Sequence, residues 1–225
     1  MREAIAFVGP SGYGLDAALF VQARVQVRPP VRRGDVQRLA EESPPGDLVI
    51  CDGVFQVAPA VSHAELCLAL DRGWRVWGVS SIGAIRAYEL RAEGMRGFGE
   101  VFAMFKRFED FADDELCLLH FPEPPWFPVT EALVNLRHAL AERGPMLGID
   151  AQGAQRAIDC LRTLWFGDRS QARMREVLRQ EAGCDERQLG LLFSWLSEHR
   201  VKTRDLEALL LRHPWLDGSG DERTP

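Results

Sequence analysis

Two adjacent serines, Ser80 and Ser81, stand where the chain could carry out acyl-transfer chemistry. They follow an apolar run at residues 76–79, which is typical of a buried strand, and apolar residues recur at helical spacing from Ile82 onward. The first turn of a helix has unpaired backbone N–H groups and a positive dipole, so a developing oxyanion is stabilised there. Serine is also among the best N-cap residues, and capping would account for one of the two. The sequence leaves both interpretations open.

The inventory of basic residues contains only two lysines, Lys106 and Lys202, against 25 arginines. A guanidinium does not act as a proton acceptor, whereas a desolvated lysine does. Either lysine is therefore a candidate general base. Alternatively, codon bias towards arginine explains the excess of arginine, and the two remaining lysines then need no chemical role.

Two further residues, Asp52 and His63, are candidates because of their positions. Asp52 ends an apolar run at residues 47–51, and ligands of open α/β sheets gather at the carboxyl ends of strands. His63 lies in the first turn of a helix whose start, Ser62, has the capping-box spacing to Glu65. Histidine is the side chain that most often transfers protons near neutral pH, so His63 can line a site.

Charged side chains occur near two other predicted helices. Arg86 and Glu89 are three residues apart and therefore neighbours on one helix face, where a surface ion pair is the default interpretation. Arg32, Arg33 and Asp35 precede or begin a short helix after the second predicted strand. Positions at the carboxyl ends of strands or the first turns of helices make Arg86, Glu89 and Arg33 candidates for lining a site.

The glycine-rich segment GPSGYG, residues 9–14, follows the first predicted strand. Such a turn can bring backbone amides close to a phosphate. However, the segment matches neither the P-loop pattern nor GxGxxG. A tight turn into the next helix is the simpler interpretation.

Composition and charge restrict the class of protein. The 225 residues are 46% hydrophobic and 27% charged, as in an ordinary globular protein, and the net charge of −6 disfavours nucleic-acid binding. No apolar run is long enough to cross a membrane, and the N-terminus lacks the features of a signal peptide. We therefore expect a cytoplasmic protein that binds neither nucleic acid nor membrane.

Metal ligation is not indicated by the sequence. The five cysteines are widely spaced, without a CxxC pair, which favours reduced, buried thiols over a disulfide framework or a zinc site. The acidic run at residues 113–115 and His120 do not form a recognised ligand pattern either. We expect no metal.

The order of predicted elements indicates an α/β fold. Strand-like runs alternate with helical patterns up to ELCLLHF at residues 115–121, which predicts a mostly parallel, Rossmann-like sheet flanked by helices. The segment FPEPPWFP, with four prolines, cannot continue a helix or an inner strand. The predicted organisation is an α/β domain at 1–122, a linker at 123–128, a helical domain at 129–217 packed against it, with Thr130 as its first N-cap, and a disordered tail at 218–225.

Several blocks together resemble the TfuA-like family. They fall in the family's order and spacing and cover almost the whole first domain, whereas the helical part is similar only through VKTRDLEALL at residues 201–210. The blocks are RGD at 33–35, DGVF at 52–55, SHAE at 62–65, SSIGAIRAYEL at 80–90, GMRGFG at 94–99 and DDE at 113–115. The family's usual lysine after the histidine is Ala64 here, and its usual methionine after the serine is Ile82.

This resemblance implies a partner of YcaO proteins in peptide backbone thioamidation, commonly on a ribosomally made peptide. TfuA-like proteins are thought to hydrolyse the thiocarboxylate of a small ubiquitin-like sulfur carrier, such as ThiS, and so release sulfide for the YcaO enzyme. The peptide substrate is then reached through YcaO, and no cofactor is implied. A serine and lysine pair has been proposed to carry out the hydrolysis.

On this sequence the resemblance assigns the nucleophile to Ser81, with amides that include that of Gly83 as oxyanion donors. Because Ala64 replaces the usual lysine, Lys202 is the expected base and Lys106 the fallback. A lysine base must be uncharged, so Lys202 is expected to be buried beside Ser81, which requires the helical domain to fold back over the sheet. The residues expected to line the site are Arg86, Glu89, His63, Asp52 and Arg33.

Two other classes of function remain open from the sequence. A non-catalytic adaptor would dock the sulfur carrier and the YcaO partner and raise their local concentration. A nucleotide-binding α/β protein would use the GPSGYG segment.

Overall fold

The computed structural model describes residues 3–54, 58–108 and 110–216. The chain divides into an α/β unit, Met1–Glu109 with Lys202–Pro225, and a helical unit, Asp110–Val201. The sequence places the boundary instead at the proline-rich residues 123–128. In the structure the residues just before those prolines belong to the helical unit, and the last helix returns to the α/β unit. The predicted disordered tail, 218–225, lies outside the described residues.

The α/β unit begins with alternating strands and helices, as the sequence predicts. A five-stranded, all-parallel sheet has the order β2-β1-β3-β4-β5, one of the two common orders of doubly wound sheets. In chain order the elements are β1 Ala4–Phe7, α1 Ala17–Gln22, β2 Val25–Arg28, α2 Asp35–Glu42, β3 Asp47–Ile50, α3 His63–Asp71, β4 Arg75–Val79, α4 Ile82–Glu89, β5 Arg96–Phe98 and α5 Glu100–Arg107. The predicted α/β class with a parallel sheet is confirmed.

The fifth strand is not where the sequence predicts it. The segment at residues 115–121 forms no strand; a short 3-10 turn at Asp113–Leu116 leads into irregular chain. The edge strand is β5, in the glycine-rich passage that the sequence analysis does not predict as a strand. A Cβ on Gly97 would lie 2.1 Å from the Phe102 ring, so this glycine is needed for close packing. Three residues with a central glycine show no alternation, and the pattern therefore misses them.

The helical unit contains four helices: α6 Leu133–Arg143, α7 Ala151–Arg162, α8 Gln171–Ala182 and α9 Glu186–Glu198. They share one apolar core that includes Leu136, Leu161, Met174 and Leu192. Thr130 is not the N-cap predicted for α6, because the helix begins three residues later and the Thr130 hydroxyl accepts the Leu119 amide at 2.8 Å.

Buried ion pairs account for the acidic run at residues 113–115. The fully buried Glu115 carboxylate accepts two hydrogen bonds from Arg137, at 2.9 and 2.8 Å. Asp114 pairs with Arg169, whose side chain is also fully buried and donates to several backbone carbonyls. A bidentate arginine–carboxylate pair of this kind satisfies both partners without solvent. These acids thus have a structural role in the helical unit.

The last helix, α10 Val201–Arg212, covers one face of the sheet. Its residues Leu206, Leu209 and Leu210, followed by Trp215, pack against small and branched side chains of β1, β3 and β4. The Trp215 indole donates to the Ala23 carbonyl at 2.7 Å. The last helix of the chain thus presents the apolar face that covers these strands.

Two glycines allow α4 to lie directly on the sheet. A Cβ on Gly78 would be 2.0 Å from the Gly83 carbonyl oxygen, and a Cβ on Gly83 would be 1.7 Å from the Ile50 carbonyl oxygen. The turn between β4 and α4 is therefore held tightly against the ends of β3 and β4. Within the described ranges, none of the helices combines the length and apolar character needed to cross a bilayer.

We predict that Gly83→Ala lowers the free energy of unfolding by about 3 kcal/mol, because overpacking against a backbone carbonyl cannot be relieved by a rotamer change. Gly46→Ala is the matched control in the same unit, since its Cβ would meet only an ordinary contact with Trp74 at 3.7 Å. Urea denaturation measures both. Equal stability of the two variants would contradict the close approach of α4.

Candidate functional site

The turn between β4 and α4 has an unusual backbone. Ser80 has a φ of 64°, in the left-handed region, although it is not glycine. Ser81 follows with φ −122° and ψ −125°, and its amide donates to the Val79 carbonyl at 2.7 Å. Such conformations cost free energy and persist where the surrounding structure enforces them, often at functional sites. A strained strand-to-helix turn is also the geometry by which α/β-hydrolases present a nucleophilic serine.

Helix capping does not account for either serine. Ser81 occupies the N-cap position of α4, but its side chain accepts no hydrogen bond from the helix amides. The Ser80 hydroxyl, which is fully buried, donates instead to the Lys202 carbonyl at 2.7 Å. The structure therefore does not support the capping interpretation of the sequence. Ser81 is 7% exposed, and its hydroxyl lies at the start of the helix.

Lys202 lies in the first turn of α10 and is 3% exposed. The Ser80–Lys202 hydrogen bond brings its backbone to the serine turn from 122 residues away in the sequence. The other lysine, Lys106, is exposed and lies over the Phe102 ring, with its amine 5.2 Å from the ring centroid. Of the two predicted bases, Lys202 is the one that the fold buries beside the turn.

Cys51 is fully buried next to the Ser80 hydroxyl. Burial and the neighbouring Asp52 carboxylate raise the pKa of the Cys51 thiol well above its usual value, while a hydrogen bond with Ser80 and the charge of Lys202 act in the opposite direction. The thiolate is the nucleophilic form of cysteine. The raised pKa therefore keeps the Cys51 thiol in its protonated, weakly nucleophilic form.

The amide of Gly83, expected to be unpaired, donates to the Cys51 carbonyl at 3.3 Å. The structure gives this glycine a second role, since its missing side chain lets α4 approach β3. Ile82 is the residue directly after Ser81 and begins α4. Its amide is thus the nearest candidate donor for an oxyanion formed at Ser81.

Asp52 is buried at the end of β3, but its carboxylate is directed to the loop after β1. It accepts the amides of Gly9 and Ser11 at 2.9 and 3.0 Å, and the Ser11 hydroxyl at 2.7 Å. These are the amides by which the GPSGYG segment would hold a phosphate. Because the carboxylate of the chain itself occupies them, the segment offers little to a nucleotide.

Three of the predicted lining residues form one network between α3 and α4. The Glu89 carboxylate contacts His63 at 2.8 Å and Arg86, and Arg86 also donates to the Val61 carbonyl at 3.1 Å. The predicted Arg86–Glu89 ion pair is present, as is the capping box of Ser62 at the start of α3. Arg33 is exposed and donates to the Ala60 carbonyl at 3.4 Å, away from this network. Residue 55 of the DGVF block lies outside the described residues.

Asp205 was not singled out from the sequence. It stands three residues after Lys202 on α10, and its carboxylate accepts the amides of Glu100 and Val101 at 2.9 and 2.8 Å, at the start of α5. Gly99, with φ 94°, leaves room for it, since a Cβ there would be 2.3 Å from the Asp205 carboxyl carbon. Its spacing from Lys202 was the one signal that could have identified it, because residues three apart share a helix face.

Comparison with known proteins identifies one family. The model described as TfuA-like protein matches residues 52–170, more than half of the chain, and this range includes the serine turn and α4. A search of the curated proteins gives no match. Lys202 and Asp205 lie outside the matched range.

Burial raises the pKa of Asp205 to about 7 from its ordinary 3.8, and the negative charge of Glu100 adds to this increase. The hydrogen bonds from the amides of Val101 and Glu100 and the positive charge of Arg204 act in the opposite direction. The folded state then binds this proton more tightly than the unfolded chain, so stability is highest below about pH 4 and falls as the pH rises through 7. We predict a loss of about 2 kcal/mol between pH 5 and pH 8, relative to Asp205→Asn.

Urea unfolding of both proteins at each pH measures this difference. Asparagine does not titrate, so the other groups of the chain cancel in the comparison. Parallel pH profiles for the two proteins would contradict a protonated Asp205 in the folded state.

Proposed function

The chain belongs to the TfuA-like family, and from this premise we propose that it is a hydrolase that releases sulfide from a thiocarboxylated, ubiquitin-like sulfur carrier of the ThiS type. The family supports an accessory role in thioamidation, in association with YcaO-type systems. The proposal adds the chemical step: a Ser81–Lys202 pair cleaves the thiocarboxylate at the C-terminus of the carrier. The sulfide then passes to a YcaO protein, which modifies the peptide substrate, and the step needs no cofactor.

One observation carries the proposal. The hydrogen bond from Ser80 to the Lys202 carbonyl holds a buried lysine at a strained turn that also carries a second, uncapped serine. A serine with only a structural role at the end of a strand would need neither a neighbouring residue in the left-handed conformation nor a lysine from a distant helix. This arrangement supports the proposal, because a serine nucleophile requires a positioned hydroxyl and a base.

In the proposed mechanism the Ser81 hydroxyl attacks the thiocarboxylate carbon while the uncharged Lys202 amine takes its proton. The negative charge on oxygen is held by the Ile82 amide at the start of α4; one such donor is worth roughly 3 kcal/mol in hydrolases. Collapse of the tetrahedral intermediate breaks the carbon–sulfur bond and leaves an ester on Ser81. The sulfur departs with the proton from Lys202 as hydrosulfide.

Water completes the cycle. The Lys202 amine, again uncharged, takes a proton from a water molecule that attacks the ester, and it returns that proton to the departing Ser81 oxygen. The products are the carboxylate of the carrier, one hydrosulfide and one free proton, and the enzyme is unchanged. Lys202 is 3% exposed, so it is shielded from bulk water.

A second candidate function is a non-catalytic adaptor, and a feature of the helical unit favours it. Phe121 and Phe127 stand opposite each other on a short hairpin, 57% and 46% exposed, with ring centroids 6.1 Å apart. Val129, on the same hairpin, is 53% exposed. Exposed apolar clusters of this kind are typical of protein interaction sites. An adaptor would use this hairpin and leave the serine turn without a chemical role.

We predict that Ser81→Ala and Lys202→Met each reduce sulfide release from a thiocarboxylated ThiS-type carrier by roughly 10²- to 10⁴-fold, the usual contribution of a nucleophile or base. Methionine keeps the volume of the lysine stem, so the packing of α10 is preserved. Lys106→Met is the matched control, expected within twofold of the unchanged protein. Melting temperatures of all three variants check folding, and full release by the first two would refute catalysis.

A second experiment separates hydrolysis from docking. We predict that the double variant Phe121→Ser with Phe127→Ser keeps sulfide release from the carrier, because the hairpin lies in the helical unit and the reacting groups in the α/β unit. It should lose thioamide formation in a reaction that contains the YcaO partner and its peptide, measured by mass spectrometry. Thioamide formation by the Ser81→Ala variant at the normal rate would instead favour the adaptor.

A further inference from the structure

A cavity of about 470 Å³ opens at the carboxyl ends of β1 and β2, beside α2. Phe7 and Arg28 end these two strands, and the cavity volume falls in the range of small-molecule sites. The full lining is Phe7, Arg28, Pro29, Pro30, Arg32, Asp35, Arg38, Leu39, Glu42 and Ser43. The cavity lies at the carboxyl edge of the sheet, where ligands of doubly wound sheets bind, although on the β2 side of the β1/β3 switch point.

Three guanidinium groups line the cavity: Arg28, half buried, and Arg32 and Arg38, both exposed. In the part of the chain that the structure describes, none of the three side chains makes a hydrogen bond or an ion pair. Other arginines of the same unit do, for example Arg72 with the Ala40 carbonyl and Arg75 with Asp47. Three like charges around one cleft repel one another and focus a positive potential into it, which is favourable only for an anion.

The cavity also has an apolar wall and two carboxylates. Phe7, Pro29, Pro30 and Leu39 supply flat or branched apolar surface. Pro30 packs against Gly9, where a Cβ would approach its ring to 2.5 Å, so this wall is held rigidly against the loop after β1. One oxygen of Asp35 accepts the Arg32 amide at 2.8 Å. Acidic side chains at this edge of such sheets accept the hydroxyl groups of a ribose.

We propose that this cavity binds a nucleoside phosphate. The three arginines face the phosphate, which offers three acceptor oxygens and close to two negative charges in a geometry that guanidinium groups match. The apolar wall receives the base, and Asp35 or Glu42 receives the sugar hydroxyls. Three guanidinium groups against two carboxylates leave the lining with one net positive charge, which an anionic ligand compensates. The site is separate from the Gly9–Ser11 amides, which Asp52 already occupies.

The test is isothermal titration calorimetry of the full chain with AMP and ADP, with adenosine and inorganic phosphate as partial ligands. Both nucleotides are expected to bind with micromolar dissociation constants, phosphate alone at least tenfold more weakly, and adenosine not measurably. Arg28→Gln and Arg38→Gln are each expected to weaken nucleotide binding at least tenfold. Arg187→Gln, the same charge change at an exposed arginine of α9 outside the cavity, is expected to leave binding unchanged.

Three results would overturn the proposal: no heat with AMP or ADP at millimolar concentration, binding that survives both cavity variants, or equal weakening by Arg187→Gln. Melting temperatures without ligand check that the variants fold, which is expected because the substituted side chains have no partners among the described residues. A glutamate-rich peptide forms the last arm. If it binds to the unchanged protein, requires Arg28 and Arg38, and is not displaced by ADP, the cavity is a carboxylate site and the proposal fails.

Discussion

The hydrogen bond between the Ser80 hydroxyl and the Lys202 carbonyl determines the arrangement of the α/β unit around its candidate site. A helix carbonyl has a second lone pair after its intrahelical bond, and Ser80 uses it. Asp205 attaches the same helix a turn later, through the amides that begin α5. Two polar contacts and one apolar face thus hold α10 on the sheet. These contacts place the Lys202 backbone at the serine turn.

The turn is possible because its neighbours have no side chains. Gly78 and Gly83 let the backbone of α4 approach the backbones of β3 and β4 directly. The chain from the end of β4 to the start of α4 must therefore reverse its direction within two residues, Ser80 and Ser81. The left-handed conformation of Ser80 follows from that short path. The free-energy cost of such a residue is of the order of 1 kcal/mol, and the apolar packing around the turn offsets it. Ser81 is then placed at the first turn of α4 without a capping role.

The carboxyl edge of the sheet is divided among three different uses. After β4 it carries the serine turn. Between β1 and β3, where a doubly wound sheet usually opens a crevice, Asp52 closes it by accepting the amides of Gly9 and Ser11. Beyond β1, next to β2, an open cavity is lined by three arginines and two carboxylates, and the arginine side chains make no hydrogen bond or ion pair among the described residues. The helical unit, by contrast, uses its buried charges internally, as Glu115 with Arg137 shows.

The sequence by itself determined the local elements and the family. Alternation and helical spacing predicted β1 to β4, the helices and the strand-to-helix turn at Ser80, and the capping box at Ser62 needed only residues three apart. Only the tertiary structure shows where β5 lies and that the Asp52 carboxylate binds the amides of the loop after β1. It also shows that α10, unlike the preceding helices, belongs to the α/β unit and covers the sheet. These outcomes depend on which surfaces bury one another. An amphipathic pattern shows that a helix has an apolar face, but the partner of that face is set by the shape and packing of residues far away in the chain.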